Sequence, residues 1–230
     1  MIKKLQKNIT DCSIGVLGFR GNLLTEVLDK NEITNYTTLN DVSEITNDFD
    51  FIFVSGYYRI IPEDILEKPK YGIYCFHESP LPEGRGHAPI QWSLLNKRNN
   101  LTISMFKIDK GVDTGLLCYQ YNVPIGKMDT YKILENKRQI GLQECFKSFL
   151  DEVKEGVIVL REQSGLGNYQ SKRSPKDSEL TEKNYSINDL WESIRMCDNE
   201  NFPAFFKINS KRSEIDKYQH SCRYLQFNIC

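Results

Sequence analysis

No run of 18 or more apolar residues occurs in the 230-residue chain, and Met1-Ile2-Lys3-Lys4-Leu5-Gln6-Lys7 has no apolar segment of the secretory type. A cytoplasmic protein with no membrane partner is the expectation. Basic charge is not in excess: 30 Lys and Arg stand against 31 Asp and Glu, for a formal net charge of -1. With no long basic tract, bulk electrostatic capture of nucleic acid is not indicated, although a few local Arg or Lys suffice for a small anion. The seven cysteines form no Cys-x-x-Cys pair, and their odd number argues for reduced thiols. His220, Cys222 and Cys230 fit no zinc spacing, so no metal is expected.

What is present is α/β in pattern. Strand-like runs near residues 13 to 17, 51 to 54, 72 to 76 and 102 to 108 alternate with helical spacing, which predicts a mainly parallel sheet with helices on both faces. The first strand enters Gly18-Phe19-Arg20-Gly21-Asn22, a glycine turn before a helix; it serves an anion at the helix start or a plain tight turn. Asp129 to Val153, including Ile140, is read as one long amphipathic helix with only a packing role. After Leu160 the composition turns polar, and the chain divides into residues 1–160 and a small α+β extension, 161–230, with a helix near Ile187 to Cys197.

The most irregular stretch follows the third strand. Cys75-Phe76-His77-Glu78-Ser79-Pro80-Leu81-Pro82-Glu83-Gly84-Arg85-Gly86-His87-Ala88-Pro89 delivers an imidazole into a stiff loop. Asp113 follows in the turn Lys110-Gly111-Val112-Asp113-Thr114-Gly115. His77 and Asp113 are the candidate acid and base. Ser79 reads as a turn-capping hydroxyl, Trp92 as a side chain packed beneath the loop, and Arg85 as half of an internal ion pair.

The run His-x-Ser-x-Leu-Pro-x-x-Arg-Gly-x-x-Pro, followed at this distance by Val-Asp-x-Gly, resembles the N10-formyltetrahydrofolate-dependent formyltransferase family. The resemblance implies a Rossmann-like catalytic domain and N10-formyltetrahydrofolate as the one-carbon carrier. It also implies donor-binding roles for Arg59, Ile60 and Ile61 after the second strand, where main-chain groups line a pterin pocket, and for Asp109 and Val112 beside Asp113. The side chains of Ile60 and Ile61 are expected in the core. Formyl transfer needs a base for the attacking amine, a donor to the oxyanion, and an acid for the leaving nitrogen. Asp113 suits the first role and His77 the other two. The family places an Asn two residues before the His; here Cys75 stands there, and a thiol is a weak donor.

The section from Arg173-x-Pro-x-Asp-Ser to Phe202-Pro203-Ala204-Phe205-Phe206 resembles sugar N-formyltransferases. A nucleotide-linked amino sugar on dTDP, UDP or GDP is the implied acceptor, with Tyr169, Arg173, Phe205 and His87 as substrate-binding candidates. The turn and strand near 199 to 208 offer a homodimer surface. Glycinamide ribonucleotide formylation and a non-catalytic relative with a degenerate site are the alternatives. Methionyl-tRNA formylation is disfavoured because it resembles a longer enzyme with a basic added domain.

Overall fold

The computed structural model describes residues 1–180, 186–208, 211–216 and 226–228. His220, Cys222 and Cys230 fall outside the described residues. In chain order the elements are β1 (Ile2–Lys4), β2 (Ile14–Leu17), α1 (Gly21–Lys30), β3 (Tyr36–Leu39), β4 (Phe51–Val54), α2 (Glu63–Leu66), β5 (Gly72–His77) and β6 (Arg85–Gly86). These are followed by α3 (Pro89–Leu95), β7 (Asn100–Lys107), β8 (Leu117–Pro124), α4 (Tyr131–Lys154), β9 (Val157–Val159), β10 (Tyr169–Gln170), α5 (Ile187–Arg195), β11 (Phe205–Ile208), β12 (Lys211–Asp216) and β13 (Gln226–Asn228).

The central sheet has six strands in the order β3-β2-β4-β5-β7-β8. The first four run parallel, as the apolar, charge-free sequences of β2 and β4 anticipate for strands buried on both faces. β7 and β8 run antiparallel and extend the sheet from β5. Two strands were not foreseen, Tyr36–Leu39 and Leu117–Pro124, each partly exposed and rich in Thr, Tyr or Gln.

One face is covered by α1 and α4, where Phe53 meets Phe146 edge-on with ring centroids 4.7 Å apart. The opposite face is covered more thinly, by the 3-10 turn Val42–Glu44, the single turn of α2 and the chain between them, over Leu17, Ile52, Val54 and Ile73. Ile194, Met196, Cys197, Ala204 and Ile215 of the C-terminal extension join the main core. Among the described residues, no helix is long and apolar enough to cross a membrane.

Helix α4 departs from its expected role as packing alone. Thr130 caps its start by accepting from Ile133 N, and Ile140 lies on its outer face, 63% exposed. Its Arg138 is buried, pairing with Glu135 in the same helix and approaching Glu78, the residue after His77, at 3.6 Å. Arg20, after β2, reaches Glu135 at 4.0 Å. A row of alternating charges thus runs beneath the carboxyl edge of the sheet, where helix periodicity alone shows only an apolar stripe.

Candidate active site

β5 pairs with β4 over residues 72–75 and with β7 over residues 74–77, and it ends at His77 because the prolines beyond cannot continue a ladder. His77 is buried, and its Nε2 lies 2.7 Å from the carbonyl of Gly84. A carbonyl only accepts, so Nε2 carries the hydrogen and Nδ1 is the nitrogen left for chemistry. Opposite His77 across the ladder stands Ser104, whose hydroxyl donates to Ser79 O and accepts from Gln120 Nε2 at 2.9 Å. These bonds fix the chain as it leaves the strand.

Asp113 is brought up by the β7–β8 connection. Its backbone is left-handed (φ 53°), a conformation Asp tolerates better than most residues. Gly115 follows against the carbonyl of Lys107, with no room for a Cβ. This turn aims the Asp113 carboxylate at the imidazole: Oδ2 is 3.7 Å from His77 Nδ1, beyond hydrogen-bond length, and accepts from Gly86 N at 2.7 Å. Among the described residues nothing bonds Oδ1, which leaves it open to a substrate proton. The tripeptide Gly84-Arg85-Gly86 therefore holds both candidates, one through its first carbonyl and the other through its last amide.

Arg85 to Gly86 also forms the short strand β6, which pairs in parallel with β10. Gly84 N donates to Asn168 Oδ1 at 2.5 Å, Arg85 N donates to Asn168 O at 3.1 Å, and His87 N to Gln170 O at 3.1 Å. Gln163 completes the wall. Its Nε2 donates to the carbonyls of Asp113 and Gly115, both at 2.8 Å, while its Oε1 accepts from Arg85 Nη2 at 2.6 Å. Sequence reading passed over Gln163 and Asn168 because a polar residue in a polar loop carries no local signal of its long-range partner.

Residues 25–146, just over half of the chain, match the family described as Formyl transferase. The chain belongs to the formyl transferase family. A methionyl-tRNA formyltransferase from Thermodesulfovibrio yellowstonii is 33% identical over 135 residues, 59% of this chain and 44% of that protein. The chain thus spans less than half the length of that curated relative. Among solved structures, a methionyl-tRNA formyltransferase from Clostridium thermocellum superimposes with a TM-score of 0.72 at 23% identity, over 94% of this chain and 96% of its own. A sugar N-formyltransferase from a Shewanella species gives 0.73 at 15% identity, over 91% and 98%. At these identities the structures establish the shared formyl transferase fold.

Several side chains sit differently from expectation in this family member. Ile61 is in the core, but Ile60 is 82% exposed, because the loop turns it outward before α2 begins. Arg59 is exposed too and pairs with Asp41 at 3.7 Å. Val112 is 49% exposed on the Asp113 turn, which Asp109 closes by accepting from Gly111 N at 3.0 Å and from Thr114 Oγ1 at 2.6 Å. In the loop after β4, the Tyr57 hydroxyl is buried with no hydrogen-bond partner among the described residues. Exposed apolar groups on the loop after β4 and on the Asp113 turn, with an unpaired phenol within the first, suit a flat heteroaromatic ring with polar edges, so the residues present fit a pterin.

Arg85 has no carboxylate partner among the described residues; the neutral Gln163 takes its place, and the guanidinium lies 5.8 Å from the Tyr169 ring centre. Ser79 caps nothing among the described residues, where its buried Oγ has no partner, and its backbone carbonyl accepts from the Ser104 hydroxyl. Trp92 is half-buried, and its indole N–H donates to Ser171 O at 3.1 Å, tying α3 to the segment beyond β10. Phe205, expected at the acceptor site, is only 4% exposed and cannot stack on a nucleotide. Tyr169 and His87 are exposed, and Arg173 lies 5.9 Å from the Trp92 ring centre while donating to Asp177 O.

Cys75 is half-buried on β5, with Sγ 3.6 Å from Phe76 O. Burial first, and then the nearby Asp113 carboxylate, push its thiol up to about 12. It is protonated at neutral pH and is no thiolate nucleophile.

Proposed function

We propose that this chain transfers a formyl group from N10-formyltetrahydrofolate to the amino group of a nucleotide-linked amino-dideoxy sugar. The observation that carries this reading is the fold-back of residues 163–170 onto the catalytic loop. The segment whose sequence continues into the sugar-enzyme-like region forms a wall of the site and presents the exposed ring of Tyr169 beside Arg85.

The donor supplies an activated formyl carbon. Asp113 Oδ1, free of hydrogen bonds from the described residues, takes the proton of the attacking amine. His77 Nδ1, protonated from solvent, donates to the formyl oxygen and then gives that proton to the leaving nitrogen, after which the proton held by Asp113 returns to Nδ1; the Nε2–H bond to Gly84 O holds the ring plane. Cys75 contributes little as a donor, so the imidazole carries the oxyanion interaction that an Asn would share. The acceptor's nucleotide lies along 169–173, against Tyr169 and Arg173.

A second reading, formylation of an aminoacyl-tRNA, is favoured by the 33% identity to a methionyl-tRNA formyltransferase. The test is release of tetrahydrofolate from the formyl donor, with 3-amino and 4-amino dideoxyhexoses on dTDP, UDP and GDP as acceptors. Glycinamide ribonucleotide and methionyl-tRNA are run in parallel. Turnover of one sugar nucleotide is the expected result. Turnover of methionyl-tRNA or glycinamide ribonucleotide alone transfers the assignment to that acceptor, and folate binding without turnover marks a degenerate site.

A further inference from the structure

The geometry points to Gln163 as a positioning residue that makes the acceptor-side segment and the catalytic pair a single unit, setting the Asp113 carboxylate against His77. This inference rests on the formyl-transfer reading for its catalytic consequence. Its structural content does not depend on that reading.

The Asp113 turn is held in a left-handed conformation by few groups. Asp109 braces its outer side, and on the inner side the Gln163 amide nitrogen binds both carbonyls that flank Thr114, those of Asp113 and Gly115. The assignment of the two ends of the Gln163 amide is fixed by chemistry. Two carbonyls require an NH2 group, and a guanidinium requires an oxygen, so only one orientation satisfies all the contacts. The oxygen end then grips Arg85, in the middle of the tripeptide that binds His77 through Gly84 O and Asp113 through Gly86 N.

Asp113 is thus connected to Gln163 directly and again through residues 84–86, and His77 is connected to it through residues 84–86. Five residues on from Gln163, Asn168 accepts from Gly84 N, so the same segment grips the tripeptide at a second point. Displacing the Gln163 amide releases the Asp113 turn. A misplacement of about 1 Å at a general base costs on the order of 10²-fold in rate. Gln163 touches neither reacting atom, and the loss should therefore fall on kcat rather than on acceptor KM.

Two variants separate this role from simple anchoring of Arg85. Gln163→Glu keeps an oxygen for Arg85 but offers no donor to the two carbonyls, whereas Gln163→Ala removes both functions. On whichever acceptor the wild type formylates, both variants are expected to lower kcat by about 10²-fold while KM stays within about threefold. Wild-type turnover by Gln163→Glu would overturn the proposal, because it would show that only the grip on Arg85 matters.

If the wild type formylates no acceptor, the functional reading fails and the inference is decided by nitrogen NMR of the imidazoles, which needs no turnover. The chain has three histidines. The His77 signals, assigned with His77→Ala, are expected to move in Gln163→Glu while those of exposed His87 do not. Unmoved His77 signals in a folded Gln163→Glu protein would overturn the proposal without reference to any substrate.

Discussion

The two halves of the sheet's carboxyl edge are built in opposite ways. Beyond β5, His77 and the Asp113 turn that the β7–β8 connection folds back against it are enclosed, and the loops that carry them are cross-bonded by Gly84, Gly86, Gln163 and Asn168. Beyond β2 and β4, Phe19, Tyr58 and Ile60 stand in solvent, with the Phe19 and Tyr58 rings stacked 5.3 Å apart. Beside that ring stack, the hydrogen bonds joining this pair of loops among the described residues run from backbone to backbone, from Phe19 N to Gly56 O and from Arg20 N to Ser55 O. Proton transfer demands fixed distances, so its groups sit on loops braced by hydrogen bonds at Gly84, Gly86 and Gln163. A surface for a large flat ligand needs open apolar area and accessible main-chain groups, which a densely bonded region does not offer.

From this contrast, His77→Ala and Asp113→Asn should each lower tetrahydrofolate release on the order of 10² to 10⁴-fold, with the donor's Kd little changed. A parallel loss of donor binding would place the pair in the binding half instead. Arg138→Ala, which leaves Glu78 and Glu135 without their buried cation, should cost about 3 kcal/mol in urea denaturation. An unchanged midpoint would mean that the charge row beneath the site is dispensable. Cys75→Asn restores a strong amide donor and should raise kcat, by about tenfold if the oxyanion is under-served. A fall in kcat would show that the site has re-formed around the thiol. Tyr58→Ala, at a side chain 83% exposed, should shift stability by less than about 0.5 kcal/mol while weakening the donor's Kd. Weakened stability without a change in Kd would collapse the distinction between the two halves.

The strands with strong local signals were legible: Phe51–Val54 and Gly72–His77 are uninterrupted apolar runs, and the His77 loop is marked by its prolines and glycines. Leu117–Pro124 escaped notice because it is an edge strand whose alternate residues face solvent, and Cys118, Tyr119 and Asn122 give no clear period. The same limit applied to side chains. Ile60 and Ile61 are identical in type and adjacent, yet one is in the core and the other in solvent, a choice made by the turn before α2. Phe205 read as available and proved buried, because β11 and the bridge from Glu179 enclose it.

The sequence by itself determined the residue types that carry the chemistry: an imidazole at a strand end, a carboxylate in a glycine-rich turn, and a thiol two residues before the His. Each is a property of a short stretch of chain, where strand period, proline and glycine act locally. The tertiary structure decided how those groups are held. Gln163 is 50 residues from Asp113 in sequence, and Asn168 is 84 residues from Gly84. A hydrogen bond between groups so far apart leaves no trace in local periodicity; it exists because β6 and β10 are laid side by side and their backbone and amide groups, turned away from water, must be satisfied there.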